Sequence, residues 1–405
     1  MDADKWHNER GNHSRRIASY IAENKCLWAI EFQITYYILT PIGTDTSKIN
    51  ILVLRRDETG VEYHRLLVPH YYLSDHYKEE FSVSIINEID SATDAFLKNF
   101  QIVIFNRFAS IKGEHKELLL RLRSLGIKSV MDIDDLWFVD RNHIMYDHYQ
   151  KENIPQHQVD GIVNSDAVFC TTEILASQIM KLNKKVAVIE NAIDPAQPQF
   201  EIENHPSDKM RFGWIGGISH YWDIDMIKDG FKKLNTSSFA KDKYQLFLMG
   251  FNEADTSGMY PAVEKMMTKG IGLNTDIYFR INAANVYTYA SGYNLFDVAL
   301  APLETTVFNS CKSELKLAEA GFMKKAVICS DTLPYSLIAK NGKNCIAIQN
   351  SPHCGNAWYL AFKKLINNPE MAKDLGEAMY ETVSVRHHIK PVTEKRVQIY
   401  RHLVK

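Results

Sequence analysis

The chain has 405 residues, enough for two domains of ordinary size, and 45% of them are hydrophobic and 24% charged. This composition is typical of globular proteins and excludes the disordered and fibrous classes. The 47 Lys and Arg residues against 49 Asp and Glu residues give a formal charge of −2. No nucleic-acid partner is expected, because such partners require a basic surface.

The six cysteines include no C-x-x-C pair and match no zinc spacing, so we expect reduced cysteines of a cytosolic protein. The N-terminus, MDADKWHNERGNHSRR, is charged and lacks the apolar core of a signal peptide. The most apolar stretch, residues 27–42, is interrupted by polar residues and predicts a strand rather than a membrane span. We expect a cytoplasmic protein, and the sequence is also compatible with peripheral association at the inner face of the membrane.

Strand-like apolar runs alternate with helical patterns along the chain, which is typical of α/β proteins with parallel sheets. In the first half we predict strands over residues 51–55, 101–108, 127–133, 166–172 and 185–190, and helices over residues 115–126, 155–164 and 173–182. Residues 196–209 are rich in proline and charge without periodicity and predict a linker.

After the linker the alternation of strands and helices restarts. We predict strands over residues 210–217, 244–250, 275–281, 296–303 and 325–331, with a helix over 223–234. The sequence therefore predicts one domain over residues 1–195 and a second over 210–385. Two α/β halves of similar size favour a ligand site in the cleft between them, outside the carboxyl ends of the strands.

The segment 296–331 predicts a strand, a loop, a helix and a second strand. Ser313 is the expected N-cap of this helix, and Lys312 adds charge where the helix dipole and unpaired N–H groups favour a phosphate. Lys312 and Glu319 would lie about two turns, roughly 10 Å, apart. That separation fits a diphosphate and a ribose. The alternative is that Lys312 is a solvated surface lysine and that Glu319 pairs with Lys316 on the same helix.

Two adjacent glycines, Gly216 and Gly217, follow the predicted strand 210–217 and would let a ligand approach the backbone closely. Their spacing does not match the G-x-G-x-x-G motif of dinucleotide-binding proteins. His220 in the following loop is a candidate contact for a phosphate or a sugar. The alternative is a tight turn that carries a surface histidine.

Three aspartates, Asp132, Asp134 and Asp135, come at the end of the predicted strand 127–133. Carboxylates suit Mg²⁺ or Mn²⁺. The same side chains could cap the turn or accept hydrogen bonds from sugar hydroxyls, and no metal site is predicted here.

Taken together, these segments resemble a two-Rossmann (GT-B) glycosyltransferase of the retaining "group 1" (family 4) kind. The resemblance covers roughly residues 100–400 and is carried mainly by APLE…KSELKLAEAG, with support from RFGWIGG, NGKNCIAI and VMDIDDLWF. It implies two Rossmann-like domains that face each other across a cleft, and a C-terminal helix over 386–405 that packs back on the first domain.

The resemblance also implies roles for individual residues. Glu319 corresponds to the second glutamate of the E-x7-E motif, which binds the nucleotide ribose. The groups expected to hold the diphosphate are Lys312, Ser313, Gly216 and Gly217. The loop that begins at Arg280 would lie against the base. Asp134, near the reacting sugar, and His220 are the candidate catalytic residues.

The implied activity is sugar transfer from a nucleoside-diphosphate sugar, without a metal cofactor and with retention. The acceptor would be a glycan or a lipid-linked sugar in polysaccharide or glycoconjugate synthesis. Two departures from the family pattern stand out: Cys311 occupies the position of the first motif glutamate, and His220-Tyr221-Trp222 replaces a basic phosphate-binding pair. The alternatives are a catalytically silent sugar-binding protein and a sugar-nucleotide epimerase on the same fold.

Overall fold

The computed structural model describes residues 45–56, 59–240, 242–252 and 258–405, which group into two compact units. The N-terminal unit comprises the described residues up to Asp194, together with Cys311–Ser313 and Arg386–Lys405. The C-terminal unit comprises Pro195–Ser310 and Glu314–Val385. The strand predicted over residues 27–42 lies outside the described residues.

The N-terminal unit contains a six-stranded parallel sheet of order β2-β1-β3-β4-β5-β6. Its strands are β1 (Ile49–Leu54), β2 (Phe81–Ile86), β3 (Ile102–Asn106), β4 (Lys128–Ile133), β5 (Ala167–Cys170) and β6 (Val186–Val188). The central strands β3 and β5 are buried at every residue. Helices cover both faces of a parallel sheet, and its inner strands are therefore continuous apolar runs in the sequence.

The helices of this unit connect successive strands. They are α1 (Gly60–Glu62), which continues through a π-helical stretch (Tyr63–Leu67) into α2 (Val68–His76), then α3 (Asp94–Leu97), α4 (His115–Ser124), α5 (Tyr146–Lys151), α6 (Ile154–Asn164) and α7 (Glu173–Ile179). Thr172 caps α7, because its side chain accepts a hydrogen bond from the Leu175 amide.

The C-terminal unit contains a second six-stranded parallel sheet, of order β12-β11-β10-β7-β8-β9. Its strands are β7 (Met210–Ile215), β8 (Tyr244–Phe251), β9 (Tyr278–Asn282), β10 (Val298–Ala301), β11 (Ala326–Ser330) and β12 (Ile346–Ile348). Its helices are α8 (Tyr221–Thr236), α9 (Met259–Lys265), α10 (Val307–Ser310), α11 (Leu315–Phe322), α12 (Gly355–Asn367) and α13 (Pro369–Arg386), the last residue of which belongs to the N-terminal unit. Short 3₁₀ segments include Ile218–His220 and Tyr289–Leu295.

The final helix, α14 (Ile389–Leu403), belongs to the N-terminal unit. Its buried Arg396 lies 3.3 Å from the Asp132 carboxylate, which also binds Arg65 at 2.7 Å. One turn further on, the Tyr400 hydroxyl lies 2.9 Å from His70 Nε2. Helix α14 therefore completes the core of this unit with both polar and aromatic contacts.

The predicted α/β architecture is confirmed by the two parallel sheets and their flanking helices. Predicted strands and observed strands coincide to within a few residues; for example, the strand predicted over 244–250 is β8. Strands β2 and β12, which are edge strands of their sheets, were not predicted from the sequence. The difference at β12 follows from its length of three residues, too short for a periodic signal.

Residues 196–209, predicted as a linker, group with the C-terminal unit. They contain a 3₁₀ turn (Pro198–Phe200), and the Gln199 side chain is fully buried. Its amide donates to the Val286 carbonyl at 3.2 Å and accepts from the Ala290 N–H at 3.1 Å. These two hydrogen bonds satisfy the buried Gln199 side chain and attach the 3₁₀ turn to Val286 and Ala290.

Candidate functional site

The C-terminal sheet reverses its strand order at β7. The chain passes outward from β7 through β8 to β9, then crosses back to place β10 on the other side of β7. In such sheets the loops at the carboxyl ends of the two diverging strands separate and leave a crevice for a ligand. The residues that follow β7 and β10 therefore define the candidate site.

The loop after β7 is shaped by three glycines. The Gly216 N–H donates to the Met249 carbonyl at 3.1 Å, and a Cβ at Gly216 would overlap the Trp214 ring. Gly250 has φ +119°, and a Cβ there would overlap the Gly216 carbonyl oxygen. Gly217 is exposed, and a Cβ there would meet nothing within 4 Å. One face of the loop is therefore packed against β8, while its tip is open.

His220 and Asp223 form a pair directly after this loop. His220 Nδ1 lies 2.6 Å from Asp223 Oδ2, and Asp223 Oδ1 accepts the backbone N–H of Glu304 at 2.7 Å. The Asp223 side chain is buried and the His220 side chain is 15% exposed. Asp223 thus links the start of α8 to the loop that follows β10, and it orients the imidazole as it does so.

Glu319 on α11 is buried and accepts hydrogen bonds from two tyrosines. The Tyr289 hydroxyl donates to Oε1, and the Tyr293 hydroxyl donates to Oε2 at 3.0 Å. Burial, reinforced by the Glu319 charge, raises the pKa of Tyr293 well above its ordinary value. The phenol therefore stays protonated and serves as the donor, which holds the carboxylate in one orientation.

Lys316, one turn before Glu319, ties α11 to the end of β7. Its ammonium donates to the Ile215 carbonyl at 2.7 Å and lies 5.2 Å from the centre of the Trp214 ring. Because Ile215 directly precedes the glycine loop, this contact fixes α11 relative to that loop. A separate small recess is lined in part by Gly217, Phe251 and Arg280.

Arg280 stands on β9 and lies over the Phe251 ring, 4.1 Å from its centre. Its guanidinium also forms an ion pair with Glu264 at 3.0 Å. The flat guanidinium stacked on an aromatic ring is a surface suited to a planar ligand group.

Asp134 belongs to the N-terminal unit and is paired with Arg107. Arg107 Nε and Nη2 donate to Asp134 Oδ1 at 3.1 and 2.9 Å, and Nη2 also reaches Asp135 at 2.8 Å. Burial raises the pKa of Asp134, and the neighbouring Arg107 charge opposes that effect. Arg107 adopts φ +56°, an uncommon conformation for a residue other than glycine. Asp134 is therefore a positioned, partly neutralised carboxylate.

Lys312 and Ser313 also group with the N-terminal unit. Lys312 Nζ lies 3.5 Å from Asp135 Oδ1, and Ser313 Oγ accepts from Asn191 Nδ2 at 2.8 Å. Both contacts are polar and partly buried.

The prediction that Ser313 caps a helix is wrong. Helix α11 begins at Leu315, and the preceding Glu314 makes no capping hydrogen bond through its side chain. The Ser313 hydroxyl is engaged with Asn191, which lies 122 positions earlier in the chain. Lys312 thus precedes the helix, so the two-turn separation from Glu319 along one helix face does not apply.

Cys311, at the position of the missing motif glutamate, is 1% exposed. Burial and the Asp135 charge raise the pKa of Cys311 to about 11, so the thiol is protonated at neutral pH. A neutral thiol offers neither the charge nor the hydrogen-bond acceptors of a carboxylate.

Within the C-terminal unit, the structure places Gly216, Gly217, His220 and Glu319 around the strand-order reversal. Asp223, Tyr289 and Tyr293 were not predicted from the sequence, and Lys316 was named only as an alternative partner of Glu319, whereas its ammonium binds the Ile215 carbonyl. Asp223 had a detectable signal, because it follows His220 by three residues at the start of a helix. Tyr289 and Tyr293 had no detectable signal in the sequence, because they precede Glu319 by 30 and 26 residues.

No protein-family model matches the chain, and no curated protein matches its sequence. Solved structures do share its fold. A sucrose-phosphate synthase from Thermosynechococcus elongatus matches with a TM-score of 0.63 at 12% identity, covering 88% of this chain and 99% of that one. A glycosyltransferase from Rickettsia africae matches with a TM-score of 0.60 at 15% identity, with coverage of 88% and 99%.

A third match is HepE from Anabaena in complex with UDP-glucose, with a TM-score of 0.60 at 10% identity over 87% of this chain and 100% of that one. At these identities the matches establish the fold. The chain therefore has the two-domain α/β fold of GT-B proteins.

Across the ranges that the structure describes, no group of three or more His, Cys, Asp or Glu side chains is arranged to hold a metal ion. In the same ranges, no helix has the length and hydrophobicity that crossing a bilayer requires.

Proposed function

We propose that this protein is a glycosyltransferase that moves a sugar from a nucleoside-diphosphate sugar to an acceptor hydroxyl. The observation that carries the proposal is the Glu319 carboxylate, fixed by two tyrosine hydroxyls on the helix that follows β10. A carboxylate fixed in this way is suited to accept hydrogen bonds from the two hydroxyls of a ribose. Its location beside the strand-order reversal supports the assignment.

The diphosphate would lie over the open tip of the glycine loop. Gly217 has no neighbour in the position of a Cβ, so a ligand can approach the backbone there. Helix α8 begins four residues later and directs the positive end of its dipole toward the same loop. These groups would stabilise the negative charge that develops on the leaving diphosphate.

In the proposed reaction, the bond between the anomeric carbon and the diphosphate oxygen breaks, and the bond electrons leave with the nucleoside diphosphate. The acceptor oxygen bonds to the same carbon and loses its proton to a base. We propose that His220, oriented by Asp223, contacts the reacting sugar or its phosphate. Retention and independence from metal ions are further parts of the proposal, based on the sequence resemblance.

Three roles expected from the resemblance stay predictions. Arg280 would contact the base, Lys312 and Ser313 would contact the diphosphate, and Asp134 would lie near the reacting sugar. A glycan or lipid-linked acceptor in polysaccharide or glycoconjugate synthesis, and a cytoplasmic or peripheral membrane location, are likewise proposed.

The proposal is tested by thermal-shift titration of the purified protein with UDP, GDP, ADP, CMP and their common sugars. UDP and UDP-glucose come first, because HepE binds both. A ligand at 100 times its Kd should stabilise the protein by about 2.7 kcal/mol. The stabilisation should disappear in Glu319→Gln and persist in Glu381→Gln, a control at an exposed position on α13. Stabilisation that is equal in both variants would contradict the assignment.

One observation favours a second candidate, a protein that binds the donor without transferring the sugar. The buried neutral thiol of Cys311 stands where the family has a carboxylate, so a group expected to act on the donor sugar is missing. The two candidates differ in turnover. Release of nucleoside diphosphate from the donor, measured with and without sugar acceptors, identifies an enzyme, whereas binding without release identifies the second candidate.

A further inference from the structure

The C-terminal unit also has a pocket at the amino-terminal ends of its strands, whereas the candidate site lies at their carboxyl ends. The pocket has a volume of about 560 Å³ and is lined by residues that precede β7, β8, β10 and β11, with the junction of α12 and α13. In a parallel sheet all strands begin at the same end of the sheet, so this pocket is separate from the glycine loop, which follows the carboxyl end of β7. Its volume lies within the range of small-molecule sites.

The lining of this pocket has more basic than acidic side chains. Six Lys or Arg side chains line it against two aspartates. Of the six, Lys324 and Lys373 are ion-paired with Glu377 and Glu370. Within the described residues, Lys209, Lys243 and Lys325 form no ion pair, and the Lys243 ammonium lies over the Phe239 ring, 4.6 Å from its centre. An excess of ammonium groups without ion-pair partners around a concave surface attracts an anion.

Arg211 forms an ion pair with Asp297, one of the two aspartates of the lining. Its Nε and Nη2 donate to the two oxygens of Asp297 at 3.0 and 2.6 Å, and its backbone N–H donates to the same carboxylate at 2.9 Å. The third guanidinium nitrogen, Nη1, is buried and has no acceptor in the described structure. Asp297 is therefore committed to Arg211, which leaves Asp208 as the one carboxylate of the lining to balance Lys209, Lys243 and Lys325.

Lys325 is the most distinctive member of the lining. Burial lowers the pKa of Lys325 to about 8; the Asp297 charge opposes this effect and the Arg211 charge adds to it. Partial burial of an ammonium group that forms no ion pair is unfavourable, and a bound anion would offset that cost. The backbone at Lys324, just before it, has φ +53° and packs against Gly376, where a Cβ would overlap the Lys324 carbonyl. The fold thus holds this pair of lysines at the pocket.

We propose that this pocket binds a small phosphate-bearing molecule through Lys209, Lys325 and Lys243. Phosphate is favoured because ammonium groups act as point charges that several oxygens of one phosphate can share. The pocket has room for more than an isolated phosphate, so a phosphorylated metabolite would fit. The inference does not depend on the proposed function, since none of these residues contacts the candidate donor site.

The test uses inorganic pyrophosphate, titrated calorimetrically at low salt into the full chain. Lys209→Gln and Lys325→Gln should each weaken binding about tenfold, because a hydrogen bond to a charged group is lost. Lys112→Gln, an exposed lysine of the N-terminal unit, is the matched control and should bind as the unchanged protein does. Since Lys325 is partly buried, Lys209→Gln serves as the variant that preserves the core.

Pyrophosphate could also enter the proposed donor site, so the Glu319→Gln variant is titrated in parallel. Binding that persists in Glu319→Gln and falls in the lysine variants supports the pocket. The pocket proposal is overturned if binding weakens only in Glu319→Gln or if no lysine variant changes it. It is also overturned if pyrophosphate does not bind. Acylation of lysines, followed by mass spectrometry, gives an independent measure. Pyrophosphate should protect Lys325 and leave Lys112 reactive, and equal labelling with and without the anion would contradict the proposal.

Discussion

Asp223 orients His220 through a contact of 2.6 Å between Oδ2 and Nδ1, and its other oxygen accepts the Glu304 N–H. Each carboxylate oxygen therefore has a different partner, one on each side of the crevice between β7 and β10. The two loops that surround the candidate site are held together by this single buried side chain.

We expect Asp223→Asn to lower the free energy of unfolding by about 1–3 kcal/mol, because an amide cannot accept hydrogen bonds on both sides. If sugar transfer is measurable, kcat should fall as well, since the imidazole loses its orientation. Denaturant titration and kinetics measure the two effects. The control is Asp225→Asn, which removes a partly exposed pair with Lys228 and should change stability by less than about 1 kcal/mol. Equal effects of the two variants would contradict this account.

The glycine loop predicts a contrast between two similar substitutions. Gly217→Ala should fold normally, because its Cβ meets no atom within 4 Å, yet it should weaken donor binding about tenfold by occupying the space above the loop. Gly250→Ala should destabilise the fold by at least about 2 kcal/mol, since it combines φ +119° with an overlap. Thermal unfolding and donor titration separate the two outcomes. A destabilised Gly217→Ala with normal binding would refute the proposed role of the loop tip.

Tyr293→Phe tests how Glu319 is held. The variant removes one of the two hydroxyl donors and leaves a buried carboxylate oxygen without it, so stability should fall by about 1–3 kcal/mol. Donor affinity should fall in parallel, because the carboxylate loses one of the contacts that fix its orientation. Tyr380→Phe, a partly buried tyrosine on α13, is the control and should leave both quantities unchanged. Loss of stability without loss of affinity would limit Tyr293 to a structural role.

His70 predicts a loss of stability in mild acid. Burial lowers the pKa of His70 to about 3, from an ordinary value of 6.5, so the folded protein keeps this imidazole neutral. As the pH falls below 6.5, the unfolded chain takes up a proton that the folded chain does not. The stabilisation is therefore complete above pH 6.5 and is lost progressively toward pH 3. Between pH 7 and 5 this loss amounts to about 2 kcal/mol.

The measurement is denaturant unfolding at pH 7 and pH 5 for the unchanged protein and for His70→Gln. The variant should lose about 2 kcal/mol less on acidification, because glutamine does not titrate. His76→Gln, on the exposed side of the same helix, is the control and should retain the full pH dependence. An unchanged pH dependence in His70→Gln would exclude this histidine as its source.

The architecture was predictable because each central strand carries its own signal. A run such as that of β3 is apolar at successive positions, and only a sheet covered on both faces buries such a run. Helix α4 was likewise predictable from its apolar spacing and from Gly126, which follows it with φ +79°. Elements with weak local signals, such as β12, acquire their conformation from the sheet they join.

The candidate site was predictable only where its parts are close in sequence. Gly216, Gly217 and His220 stand within five positions, and Glu319 follows a recognisable block. The contacts that hold Glu319 and bury Gln199 join residues 26 to 91 positions apart, and neither periodicity nor spacing encodes such pairs. Ser313 shows the converse. Its residue type and position favour a helix cap, but its hydroxyl instead accepts a tertiary hydrogen bond from Asn191.

Helix α14 determines the order in which the protein can fold during synthesis. The N-terminal unit ends its first segment at Asp194 and receives its last segment only from Arg386 onward. At ribosomal rates of about 5–20 residues per second, the roughly 190 intervening residues take about 10–40 s to emerge. Until then His70 lacks its Tyr400 partner and Asp132 lacks Arg396. The N-terminal unit is therefore completed only after the C-terminal unit, whose last segment ends at Val385.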